Sequence, residues 1–206
     1  MGKFIFILVA FVLIATNSTS TSRFPNTIIN NVEDPCIGSL VESSFSDGMI
    51  NEISMLIKNV YSLYDTVNLT IDQSYDLEPS LNAITEFYYI GEAPCIDIHF
   101  NGNTMPGASK EYIMATLYHE FLHAIMFFKG LKDHEQHEPI ATGYRKVLTM
   151  TLLQHFPGLS KNDASALVWE GLQDTKAWNN LFESHQATIL DINQAFKTGR
   201  KGTKCK

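Results

Sequence analysis

Ala115-Thr116-Leu117-Tyr118-His119-Glu120-Phe121-Leu122-His123-Ala124 is the stretch on which the reading of this chain turns. Around it Ile113, Leu117, Phe121, Ile125 and Phe128 recur at helical spacing, so a helix with one buried stripe is expected. Four residues make about one turn, so His119 and His123 leave the same face and can share one metal ion. Glu120 stands beside them, placed to polarise a metal-bound water rather than to bind the metal. Ser109 is a natural N-cap, Glu111 suits the first turn, and Gly130 sits where a helix C-terminal glycine belongs.

A catalytic zinc takes three protein ligands and keeps a fourth position for water. The downstream segment Lys132-Asp133-His134-Glu135-Gln136-His137-Glu138-Pro139 is dense in candidates for the third. Pro139 fits the first position of a helix, where its missing N–H costs little. That puts His137 in the turn just before, able to aim back at the motif helix. His137 is therefore the preferred third ligand, and His134 and Glu138 stay open as alternatives. The expected site is one Zn2+ with His119, His123 and His137 as ligands and Glu120 as the catalytic residue.

Upstream, apolar residues from Asp47 to Tyr64 follow helical spacing, and three short stretches alternate as strands do: 67–71, 86–90 and 95–100. Beyond Pro139 the pattern is helical: one helix from Pro139 to about His155, one after Ser160, and one over Glu183–Phe196. Elements segregated in this order predict an α+β domain: an N-terminal helix, a small three-stranded sheet, the motif helix and C-terminal helices. Residues 46–196 form that domain, and the Ser-, Thr- and Asn-rich segment 21–45 is expected to lie on it as an extension.

Residues 1–20 read as a secretory signal peptide, with Lys3, an apolar run from Phe4 to Ala15 and small polar residues after it. The run is shorter than the roughly 20 residues a membrane span needs. An exported protein, secreted or periplasmic, with no stable membrane span after cleavage is expected. The body from 21 to 196 holds 22 acidic and 9 basic side chains, a net charge of −13, which argues against binding nucleic acid through its phosphates. The basic segment 197–206 is expected to be a solvated, disordered tail. Of the three cysteines, Cys36 and Cys95 are the preferred pair, because both fall in the body, leaving Cys205 free; three unpaired thiols are the alternative.

His119-Glu120-Phe121-Leu122-His123-Ala124 followed by His137-Glu138-Pro139 resembles the SprT-like zincin metallopeptidases, which carry His-Glu-x-x-His-Ala on a helix and His-Gly-Pro at the next. The resemblance spans roughly residues 96–140 and implies a minimal zincin fold, zinc on His119, His123 and His137, and Glu120 as general base. It also places Ile96–Phe100 where that family has its edge strand, against which an extended substrate could pair. Glu138 departs from the family's glycine and would set a carboxylate beside the metal. The family's Cys-rich zinc ribbon is absent from this sequence, and the acidic body does not suit a DNA-associated substrate.

The expected function is hydrolysis of peptide bonds in a polypeptide substrate by a zinc-activated water, performed by a monomer that binds no nucleic acid. Two alternatives are a zinc amidase acting on a non-protein amide and a non-catalytic metal-binding module for a partner. Tyr144 reads as a structural tyrosine rather than an oxyanion donor, and His99, His155 and His185 as surface or structural residues. Trp169 and Trp178 read as core aromatics, and Asp163 and Asp174 as capping or solvated residues.

Overall fold

A computed structural model describes residues 27–45, 53, 55–56 and 67–205. Four strands form one mixed sheet: β1 (Thr27–Asn30), β2 (Asn68–Ser74), β3 (Ala83–Ile90) and β4 (Ala93–Asn101). Their order is β1-β2-β4-β3, with β1 and β4 parallel to β2 and β3 antiparallel to β4. The alternation in β4 does what it implies: Ile96, Ile98 and Phe100 are fully buried, while Asp97 and His99 turn to the other face. Leu69 and Ile71 of β2 continue that buried row.

The helices are α1 (Pro35–Phe45), α2 (Lys110–Phe128), α3 (Asp133–Pro139), α4 (Arg145–His155), α5 (Lys161–Leu167), α6 (Lys176–Asn179) and α7 (Glu183–Lys197). The fold is thus α+β, as expected, but with a fourth strand. Residues 1–20, expected to be a signal peptide, fall outside the described residues. So does most of the helix expected over Asp47–Tyr64, of which Ile53, Met55 and Leu56 are helical and Ile53 is fully buried. Among the described residues no helix is long and apolar enough to cross a membrane.

α2 is the axis of the molecule. Fifteen of its 19 residues are buried, so it is enclosed on nearly all sides rather than along one stripe. The sheet lies against one side of it, and α1, α4 and α7 pack around the others. Ser109 caps its start by accepting from the Tyr112 N–H at 3.2 Å. Gly130, at φ +80°, closes its end: Gly130 N–H bonds Phe127 O and Leu131 N–H bonds Met126 O, satisfying carbonyls the helix leaves open.

Four expectations are corrected. Segment 21–45 is not a mere extension: β1 adds a strand to the sheet, and Ile37, Leu40 and Val41 of α1 enter the core. Strand β4, which contains Ile96–Phe100, is not an edge; it is paired on both sides, and β3 is the edge beside α2. Alternation reports one buried face but not a strand's place in the sheet. The disulfide joins Cys36 to Cys205, with Cα atoms 5.6 Å apart, and not to Cys95, which is 2% exposed inside β4.

The C-terminal segment is not a disordered tail. Buried Glu111 needs partners, and Thr203 supplies two, its N–H at 2.8 Å and its hydroxyl at 2.7 Å. Lys201 pairs with Asp163 at 2.6 Å, and Thr203 O accepts from Lys110 N–H at 2.8 Å. A run of like charges reads as solvated, but here two buried carboxylates, Glu111 in the first turn of α2 and Asp163 in α5, hold it down.

Candidate metal centre

His119 and His123 leave α2 one turn apart, as their spacing requires, and their Nε2 atoms lie 2.9 Å from each other. α3 brings His137 to the same point: one ligand atom from each of the three histidines lies within 4.8 Å of the others. Those separations bracket the roughly 3.4 Å that tetrahedral bonds of about 2.1 Å impose. His137 reaches the site by a different route from the one expected. Pro139 does not open a helix; it sits in the last turn of α3, so His137 is helical rather than in a preceding turn. The helix accommodates the proline by passing into a π turn over Ile140–Tyr144 before α4 begins.

Two of the imidazoles are fixed from behind. Gln136, fully buried, presents Oε1 to His123 Nδ1 at 2.7 Å and spends its Nε2 on Leu131 O at 3.0 Å. A carbonyl oxygen can only accept, so His123 carries its proton on Nδ1 and keeps a lone pair on Nε2. Asp174 does the same for His137, with both carboxylate oxygens within 3.0 Å of Nδ1. Burial lowers the pKa of His119 well below its usual value, helped by its two histidine neighbours. Burial likewise lowers that of His123, against the opposing pull of its bond to Gln136. Three imidazoles converging on one point form a donor set that could hold a metal ion.

Glu120 lies beside the triad. Its Oε2 accepts from the Thr85 hydroxyl at 2.6 Å, which ties it to edge strand β3. Burial raises its pKa to about 7, a rise held in check by the bond from Thr85 and the proximity of His137. A carboxylate near pH 7 is suited to moving a proton in either direction. A cation bound to the triad would pull that value down again.

A cleft of about 570 Å³ runs between β3 and α2, with His119, Glu120, His123 and His137 along its length. Thr85, Glu86, Phe87 and Asp133 also line a second, adjoining depression with Tyr89, Phe127 and Leu131, where Phe87 and Phe127 stack at 4.3 Å. The other candidate ligands stand elsewhere. Glu138 accepts from the Lys176 N–H at 2.7 Å at the start of α6, so its carboxylate is not beside the triad. His134 is exposed, and Tyr144 is held by Lys129 away from the cleft.

Five residues of the site were not legible as such: Thr85 on β3, Gln136 on α3, and Glu170, Gly171 and Asp174 on the connection between α5 and α6. Asp174 is solvated, as expected, and in addition holds His137 Nδ1. Gly171, at φ +80°, passes so close that an added Cβ would lie 3.0 Å from His119 Cε1. That connection is anchored by Trp169 and Trp178, edge-on at 5.4 Å, with the Arg145 guanidinium 3.6 Å over Trp169. Two tryptophans bracketing an acidic, glycine-containing turn were the available signal; nothing local tied the turn to the motif. Compared with known proteins, the chain matches no family model, no curated protein and no solved structure.

Proposed function

We propose that the protein is a zinc-dependent peptidase of the SprT-like zincin kind, acting outside the cytoplasm on extended polypeptide. The observation that carries this reading is the conjunction of a three-histidine cluster with a buried Glu120 beside it, held by Thr85, inside a cleft bounded by an edge strand. A site that only held structure would be closed by a fourth ligand and would have no use for such a carboxylate.

When bound, zinc supplies the Lewis acidity that makes water a nucleophile near neutral pH. The chain's own residues do the rest. Glu120 takes a proton from the attacking water and returns it to the leaving amine, while Thr85 keeps its carboxylate aimed. Edge strand β3 offers main-chain groups to a substrate backbone, fixing it across the cleft by added-strand pairing. The adjoining depression along β3 past Phe87 favours a polypeptide over a small amide, which a closed pit would suit better.

The test is metal analysis of the purified protein together with a peptide-library digest of wild type and Glu120→Gln. About one zinc per chain, and cleavage abolished in the variant, is expected. Absence of a histidine-bound metal, or undiminished cleavage by Glu120→Gln, would refute the reading.

A further inference from the structure

One end of the cleft carries a charge that neither the metal ligands nor the general base explains. Glu170 lines it, beside Asn82 at the start of β3 and Tyr112 on α2. Asn82 Nδ2 donates to Glu170 Oε1 and to the Tyr112 hydroxyl, each at 2.9 Å. Its own Oδ1, also buried, has no partner. Burial, with the neighbouring Glu170 carboxylate next in weight, raises the Tyr112 pKa far above its usual value, so the hydroxyl stays protonated.

The local balance of donors and acceptors is uneven. Glu86, Glu120, Asp133 and Glu170 line the part of the cleft around the triad, and among the described residues no lysine or arginine lines that part; Lys132 lines the second depression. Among the described residues Glu170 makes no ion pair. Glu170 already has two neutral donors, Asn82 Nδ2 and the Tyr112 hydroxyl, and beside it lies the unpaired Asn82 carbonyl, but among the described residues no cation balances its charge.

We propose that Glu170 makes the cleft selective for a lysine or arginine side chain close to the scissile bond, an inference that rests on the peptidase reading above. The spacing suits a long side chain. Asn82 precedes Thr85 by three residues, about 10 Å along a strand, and Thr85 touches the general base. A substrate side chain that starts beside Thr85 and ends beside Asn82 has that offset to span, which suits the stems of lysine and arginine. Paired antiparallel to β3, the more stable arrangement per residue, the chain runs from the aromatic end of the cleft toward Glu170. The selected residue then lies on the C-terminal side of the bond.

Peptides blocked at both ends and differing only in lysine against norleucine at that position test this. Their affinities are measured for Glu120→Gln, in which binding is separated from turnover, and for Glu120→Gln combined with Glu170→Gln. The lysine peptide is expected to bind roughly tenfold tighter to the first protein, as for a hydrogen-bonded ion pair. That preference should shrink with added salt and vanish in the second protein. Equal affinities in Glu120→Gln overturn the proposal, as does a preference that survives Glu170→Gln. Should the double variant fail to fold, the salt titration on Glu120→Gln decides, and a salt-independent preference overturns the proposal. Failure of the peptidase reading shows separately, as a wild type that cuts neither peptide.

Discussion

Removing the groups that hold the two imidazoles from behind should weaken metal binding by unequal amounts, and burial sets the order. Such partners are worth about 10- to 100-fold in metal affinity. Asp174 is 66% exposed and the His137 ring 30%, so in Asp174→Asn water can stand in for part of what is lost. A loss of about tenfold is expected there, the low end of the range. Gln136 is fully buried and its bond to His123 is 2.7 Å. Gln136→Leu strands the Nδ1–H of His123 away from water, at a cost of about 1–3 kcal/mol, which carries the loss toward 100-fold. Competition against a fluorescent zinc chelator, at one pH and with folding checked by circular dichroism, measures both. If Asp174→Asn loses more than Gln136→Leu, or if neither variant binds zinc less tightly than wild type, the orienting roles are wrong.

Two further substitutions probe the parts of the fold that hold the site. Cys205→Ser opens a loop whose ends are 169 residues apart, for which chain entropy allows up to about 5 kcal/mol. A loss of about 2–5 kcal/mol in urea unfolding is expected. A non-reducing peptide map of the wild type should show Cys36 joined to Cys205; a Cys36–Cys95 peptide would contradict the structure. Gly171→Ala puts a Cβ 3.0 Å from His119 at a backbone φ of +80°, so about 1–3 kcal/mol of stability and some zinc affinity should be lost together. Gly158, with nothing within 4 Å of an added Cβ, is the control. If both alanine variants behave alike, Gly171 does not press on His119.

What could be read from the sequence was what repeats at short range. The motif helix and its two caps announce themselves through spacing and through Ser109 and Gly130, and the structure places both caps where they were expected. His137 was also legible, although for a partly mistaken reason: Pro139 sits late in α3 and not at a helix start. The order of strands was not legible, because Ile96, Ile98 and Phe100 look the same whether their strand is central or at an edge. Nor was β1, only four residues long, whose place depends on pairing with Asn68–Ile71 far along the chain. Asp174 and Glu170 are single acids on a loop, and only the folding of α5 and α6 against α3 and α4 gives them neighbours. Lys201 and Thr203 belong to the same class, since their partners Asp163 and Glu111 lie far away in sequence.

The position of Cys95 bears on how this chain can cross-link. It follows Cys36 well before Cys205 does, so under oxidising conditions it is the first thiol that Cys36 can meet. In the finished structure it is sealed within β4, paired with β2 on one side and β3 on the other. Closing the sheet before Cys36 reacts keeps Cys36 available for Cys205. A premature Cys36–Cys95 bond instead has to be undone by thiol exchange before β4 can take its place. A chain mispaired at Cys36–Cys95 would therefore need reductant or a disulfide isomerase to reach the Cys36–Cys205 pairing of the structure.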